Sequence, residues 1–148
     1  MVIPMHTTRF GTLAAEAADV IHFPLGLPGL ENLDRWLLLA NPECGNVGWL
    51  QSADCSNIAL AVVDPCRFVA DYALHVGREA LGPVGGGVAE DMRILAVVSH
   101  DGEGLTLNLK APLVVDLRRR LGCQILNQAE WPLGYSLEEK RMPLRHCA

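Results

Sequence analysis

No stretch of this chain runs apolar for the roughly 18 residues that a membrane-spanning helix needs, so no helical membrane anchor is expected. Met1 to Leu13 lacks a basic start followed by an apolar stretch, so no secretory signal is read and the expected location is the cytoplasm. The five cysteines, Cys44, Cys55, Cys66, Cys123 and Cys147, contain no Cys-x-x-Cys pair. The regular steps between the first three match no zinc template, and reduced thiols without a metal role are expected. The histidines His6, His22, His75, His100 and His146 are never one, three or four residues apart, so no two share a strand or helix face as ligands or as a catalytic base with its partner. Carboxylate pairs are poorly placed as well: Glu138-Glu139 lies near the end and Glu90-Asp91 beside a glycine run. That run, Gly85-Gly86-Gly87, lacks the Lys-Ser/Thr or the strand-to-helix setting of a phosphate cradle and reads as a surface loop. Asp101-Gly102-Glu103-Gly104 lacks the further acidic ligands of a calcium loop. Basic excess is missing too. At a net charge of −5, with Arg118-Arg119-Arg120 the one compact basic cluster, direct nucleic-acid binding is not expected. Together these absences point away from an enzyme and from any cofactor or metal.

What is present is strand material. Half the residues are apolar and a fifth charged, as in a folded globular chain long enough for one domain. Fourteen glycines and nine prolines chop the apolar residues into short pieces, which favours strands. The run from Leu105 to Asp116 is the most informative. Leu105, Leu107 and Leu109 alternate with Thr106 and Asn108 as in a strand with one buried face, Pro112 then interrupts the ladder, and Leu113 to Val115 resumes pairing on a neighbouring edge. Further strands are predicted at Thr8–Thr12, Asp19–Phe23, Trp36–Ala40, Val47–Gln51, Ile58–Val63, Met92–Ser99 and Cys123–Leu126. The Asp101–Gly104 turn makes Met92–Leu109 a hairpin.

Arg67–Leu81 fits two patterns. Val69, Tyr72, Val76 and Ala80 mark a helix face, whereas Phe68, Ala70, Tyr72, Leu74 and Val76 alternate as a strand. The unbroken alternation favours a strand giving way to one helical turn at Arg78–Leu81. The fold class is thus all-β with at most one or two short helices, and the predicted core is Ile21, Phe23, Leu50, Ile58, Leu60, Val62, Leu107, Leu109 and Ile125. Residues 1–137 form the domain, and 138–148 a polar C-terminal tail.

Read in order, certain residues form a signature. Phe10-Gly11 is followed by Ile21-His22-Phe23-Pro24-Leu25-Gly26-Leu27-Pro28-Gly29-Leu30-Glu31, then Leu50-Gln51-Ser52, Ile58-Ala59-Leu60 and Asp64-Pro65. Tyr72, the run Leu107-Asn108-Leu109-Lys110-Ala111-Pro112-Leu113 and Gln124-Ile125-Leu126 complete it. This signature resembles the FliW family of flagellar assembly factors, over about residues 8 to 126. Asp116 departs from it, standing where the family commonly has Asn. The loop Pro83–Asp91 is richer in glycine than usual, and the match fades from Trp131 onward.

The resemblance implies a small closed or partly open β-barrel-like fold and no catalysis. It also implies two partners, flagellin and the RNA-binding translational regulator CsrA. In the family scheme free flagellin occupies the factor until export releases it, and the released factor binds CsrA and relieves repression of flagellin translation. The candidate partner-binding residues are Gln51, Asp64, Pro65, Glu90, Asp91, Asn108 and Asp116. Gln51 and Asn108 are amides in apolar strands and equally suit backbone groups at a barrel corner, and Asp64-Pro65 equally ends a strand. An acidic balance suits a basic partner such as CsrA. The alternatives are a small-molecule-binding barrel or cofactor-dependent enzyme, marked by a pocket of converging polar groups, and a structural subunit, marked by a large exposed apolar patch.

Overall fold

The structure is a computed structural model describing residues 2–8, 10–40, 47–84, 92–100, 102 and 104–137. Its strands are β1 (Val2–Thr7), β2 (Gly11–Glu16), β3 (Ile21–His22), β4 (Arg35–Ala40), β5 (Val47–Ser52), β6 (Ala59–Val63), β7 (Met92–His100), β8 (Leu105–Leu107), β9 (Leu113–Asp116), β10 (Leu121–Gln124) and β11 (Tyr135–Ser136). Among the described residues there is no α-helix, only short 3-10 turns at Ala17–Asp19, Pro65–Arg67 and Arg78–Val84. Seven strands close a barrel in the order β7-β6-β5-β4-β3-β10-β9, with β9 returning to β7. Pairing is antiparallel throughout, except that Leu121 of β10 meets His22 of β3 in parallel.

The Leu105–Asp116 run closes this ring as its pattern suggests. β8 pairs with Val98–His100 of β7, and β9 pairs with Met92–Leu95 of the same strand. The two are one strand interrupted at Asn108–Pro112. There the Asn108 N–H still reaches Val97 O, the Leu109 and Lys110 amides share Pro132 O, and Pro112 accepts from Ile125 N. The strand read as ending at Leu109 therefore ends at Leu107.

Four apolar clusters pack the described residues, and the two largest hold eight buried residues each. Ile21, Phe23, Leu27, Trp36, Leu50, Val62, Leu113 and Val115 form one. Val47, Val63, Val69, Tyr72, Ala96, Leu107, Leu109 and Leu137 form the other. Of the predicted core, Ile58 and Leu60 are only partly buried, against the first cluster, and the remaining seven are buried. Gly122 belongs to this packing, since a Cβ there would lie 2.5 Å from the Phe23 ring. Gly26 and Gly29 take φ of +65° and +82°, the left-handed region open to a residue without a Cβ.

Several expected elements differ. Of Thr8–Thr12, Gly11 and Thr12 begin β2, whereas Thr8 and Phe10 belong to the turn before it. The Thr7 hydroxyl accepts from Phe10 N and donates to Gly11 O, and Phe10 leaves the ladder to stack edge-on against Trp49, 5.9 Å between centroids. Asp19–Phe23 shrinks to β3, because Ala17–Asp19 coils into a 3-10 turn. Cys123–Leu126 shifts to β10, leaving Leu126 exposed. Arg67–Val76 carries no ladder at all. Its alternation holds only from Tyr72 to Val76, with Tyr72 buried, Leu74 and Val76 half-buried and the residues between them exposed; before that Val69 is buried and Ala70 exposed, against the predicted phase. Side chains and one backbone bond hold it instead: the Tyr72 hydroxyl donates to Leu109 O at 2.8 Å, Asn127 bonds Ala73 O and His75 N, and Gln128 N donates to His75 O at 2.6 Å. The helical turn after it is the 3-10 segment Arg78–Val84. β1 and β11 went unread. The glycine run Gly85-Gly86-Gly87 and the tail 138–148 lie outside the described residues.

Candidate functional site

β1 and β2 pair only with each other, forming an arm laid across the outside of the barrel. Met5, Leu13 and Ala15 on its inner face pack on Leu37 and Leu39 of β4, whose side chains alternate with inward-facing Trp36 and Leu38. At its tip the Thr8 amide donates to Ser56 O at 2.8 Å. One cleft opens at the tip of the arm and another along β2. The polar one, about 310 Å³, is lined by Thr8, Gln51, Ser56, Asn57 and Ala59. The other, about 220 Å³, lies between Leu13–Ala15 and Leu37–Leu39 with Asp19 and Arg120 at its rim.

The candidate residues occupy separate turns. Gln51 is fully buried, and its Nε2 donates to Ser52 O at 3.0 Å and lies 3.4 Å from the carbonyls of Cys55 and Ser56, while Oε1 has no protein partner. The amide thus braces the β5–β6 turn. Asp64 is exposed and its carboxylate accepts from Cys66 N, capping the 3-10 turn that Pro65 begins; Pro65 is buried. Asn108 is half-buried and accepts from Ala111 N at 2.9 Å, shaping the β8–β9 jog. Asp116 is buried and accepts from the amides of Arg118 and Arg119, which anchors the β9–β10 turn. Glu90 and Asp91 lie outside the described residues. The arm was the feature missed, although Met5, Leu13 and Ala15 around Phe10-Gly11 carried its pattern.

The chemistry available is modest. Among the described residues no three His, Cys, Asp or Glu side chains group as metal ligands. Burial pushes the Cys66 and Cys123 thiols up, which keeps them protonated and weakly nucleophilic. Burial also raises the Tyr72 phenol, against the opposing hydrogen bond from Asn127. The Arg35 guanidinium hydrogen-bonds Asp54, holding its carboxyl below the usual range. None of these groups converges on either cleft. No helix among the described residues is long and apolar enough to cross a membrane.

Comparison with known proteins matches residues 4–137 to the family described as FliW protein. A flagellar assembly factor FliW of Clostridium tetani is 29% identical over 136 residues, covering 90% of this chain and 94% of the relative. One from Caldanaerobacter subterraneus subsp. tengcongensis is 32% identical over 128 residues, covering 82% and 83%. A crystal structure of the flagellar assembly factor FliW superposes with a TM-score of 0.84 at 20% identity, over 93% of this chain and 99% of that one, a likeness of fold. With its domain matched from arm to last strand, the chain belongs to the FliW family.

Proposed function

We propose that this chain is a non-catalytic flagellar assembly factor that binds flagellin one-to-one and, when free of it, binds CsrA and loosens CsrA's hold on flagellin leader RNA. The observation that carries this is the family match over residues 4–137, which spans the barrel and the arm together. The barrel interior is filled by Trp36, Phe23, Leu50 and Leu113, which favours protein partners on the outer surface over a small molecule held inside. A net charge of −5 suits a basic protein partner better than a phosphate backbone. The reading places the protein in the cytoplasm, where flagellin is translated, with residues 1–137 as the working domain. The test is a gel-shift experiment with CsrA and a flagellin leader RNA. Added protein is expected to release the RNA and, alone, to leave it unshifted. Failure to release it, or direct RNA binding, overturns the regulatory half. Calorimetry with the flagellin of the same organism tests the other half, with saturable one-to-one heats expected.

A further inference from the structure

Among the described residues, Gln51 Oε1 is the one buried side-chain oxygen or nitrogen without a hydrogen-bond partner. Gln51 stands opposite Leu37 and Ala59 in the ladders, so its side chain lies with that of Leu37 on the outer face of the barrel, the face under the arm. Its Nε2 is turned to three carbonyls, Ser52 O at 3.0 Å and Cys55 O and Ser56 O at 3.4 Å. Reversing the amide would set its oxygen against three others, so the orientation is fixed and Oε1 is the atom left over. A buried carbonyl left unpaired is destabilising, and native structures supply it with a donor.

Of the five residues that line the polar cleft at the arm tip, Gln51 is the buried one and forms the floor; Thr8, Ser56 and Asn57 are exposed and Ala59 half-buried. The walls are held in place. Ser52 Oγ accepts from the amides of Asp54 and Cys55, Thr8 N donates to Ser56 O, and the Cys55 thiol donates to Asn57 Oδ1 at 2.9 Å. With Oδ1 engaged, Asn57 offers the cleft its Nδ2 donors. No lining residue is charged, and Asp54 in the same turn is hydrogen-bonded by Arg35. A cation would shed water there without a counter-charge, and a carboxylate would meet Oε1 oxygen to oxygen. The group that fits is neutral and carries both an N–H for Oε1 and a C=O for Asn57. A main-chain amide would drag its flanking side chains in with it, whereas a side-chain carboxamide enters end-on.

We propose that this cleft binds a carboxamide side chain, an asparagine or glutamine of a bound protein, which donates to Gln51 Oε1 and accepts from Asn57 Nδ2. Because Gln51 is fully buried in the free chain, the arm tip shifts from its Thr8–Ser56 bond as the amide enters. The proposal rests on the protein partners inferred above, either of which can supply such a side chain, and the experiment separates them.

The test is NMR of the wild-type chain, alone and saturated with flagellin or with CsrA, observing the Gln51 carboxamide carbon. Calorimetry accompanies it on Ser56→Phe, which fills the cleft, and Asn57→Ala, which removes its donor, with exposed Leu133→Ser as control. A new bond to Oε1 is expected to move the carbon resonance downfield with the partner that supplies the amide. That partner is expected to bind Ser56→Phe at least about tenfold more weakly, and Asn57→Ala several-fold more weakly, the worth of one neutral hydrogen bond. The NMR reading uses the unaltered chain and so stands even where a variant fails to fold. A resonance unmoved in both complexes, or folded variants that bind both partners as the wild type does, overturns the site and leaves the partner reading standing. A long-lived water on the Gln51 amide, seen by cross-relaxation in the free chain and retained in both complexes, overturns it too, since Oε1 then serves a structural water. A wild-type chain that binds neither partner removes both readings.

Discussion

Leu107 is fully buried where β8 meets β7, and Leu107→Ala is expected to cost about 2–5 kcal/mol in urea unfolding, from lost transfer energy and the cavity left behind. Gln51 makes the complementary case for a polar residue. Gln51→Leu keeps the volume but strips the carbonyls of Ser52, Cys55 and Ser56 of their shared donor, so a loss of about 1–3 kcal/mol is expected by the same measurement. From sequence Gln51 was legible only as an amide among apolar neighbours. Burial under the tip of the arm, which no local pattern reports, decides that its Nε2 serves a turn. Arg35–Asp54 carries a small pH dependence. The guanidinium holds the Asp54 carboxyl low, so its contribution is present above the ordinary carboxylate range and fades as pH falls through the lowered value. Both side chains are substantially exposed, which limits Asp54→Asn to about 1 kcal/mol or less at neutral pH. Melting curves of variant and wild type should converge in acid.

Elements that carry their own punctuation were the legible ones. The Leu105–Asp116 run contains the alternation, the proline and the second apolar stretch that make β8, the jog and β9, so the closing edge of the barrel could be read from it directly. Residues 72–76 show the limit of that logic. Period two reports an extended chain with one buried face, and whether a neighbour supplies a ladder is a tertiary fact. Here Asn127, fully buried and more than fifty positions away, supplies the bonds. Asn127→Ala is expected to cost about 1–3 kcal/mol and to speed amide exchange at His75 ahead of the barrel strands. Uniform acceleration across the domain would show instead that this segment is not separately held. The arm eluded local reading for the opposite reason: Phe10 and Thr8 look like strand residues, but Phe10 is spent on Trp49 and Thr8 on Ser56.

At the scale of the whole molecule, the proposed function rests on surfaces and net charge, and these are where sequence says least. An acidic chain meeting a basic regulator should associate more slowly as salt rises, with screening over about 8 Å at physiological ionic strength. Asp64 is the cleanest probe of that field because it is exposed at the end of β6 and its carboxylate caps a single short turn. Asp64→Lys is expected to slow CsrA association and reduce its salt slope while flagellin heats stay unchanged, as stopped-flow and calorimetry can show. Asp116→Lys is a poor probe of the same idea, since it buries an ammonium where a carboxylate holds the β9–β10 turn, and lost binding there would report lost structure. If the association rate is flat in salt for the wild-type chain, charge does not steer the encounter, and the acidic balance serves solubility alone.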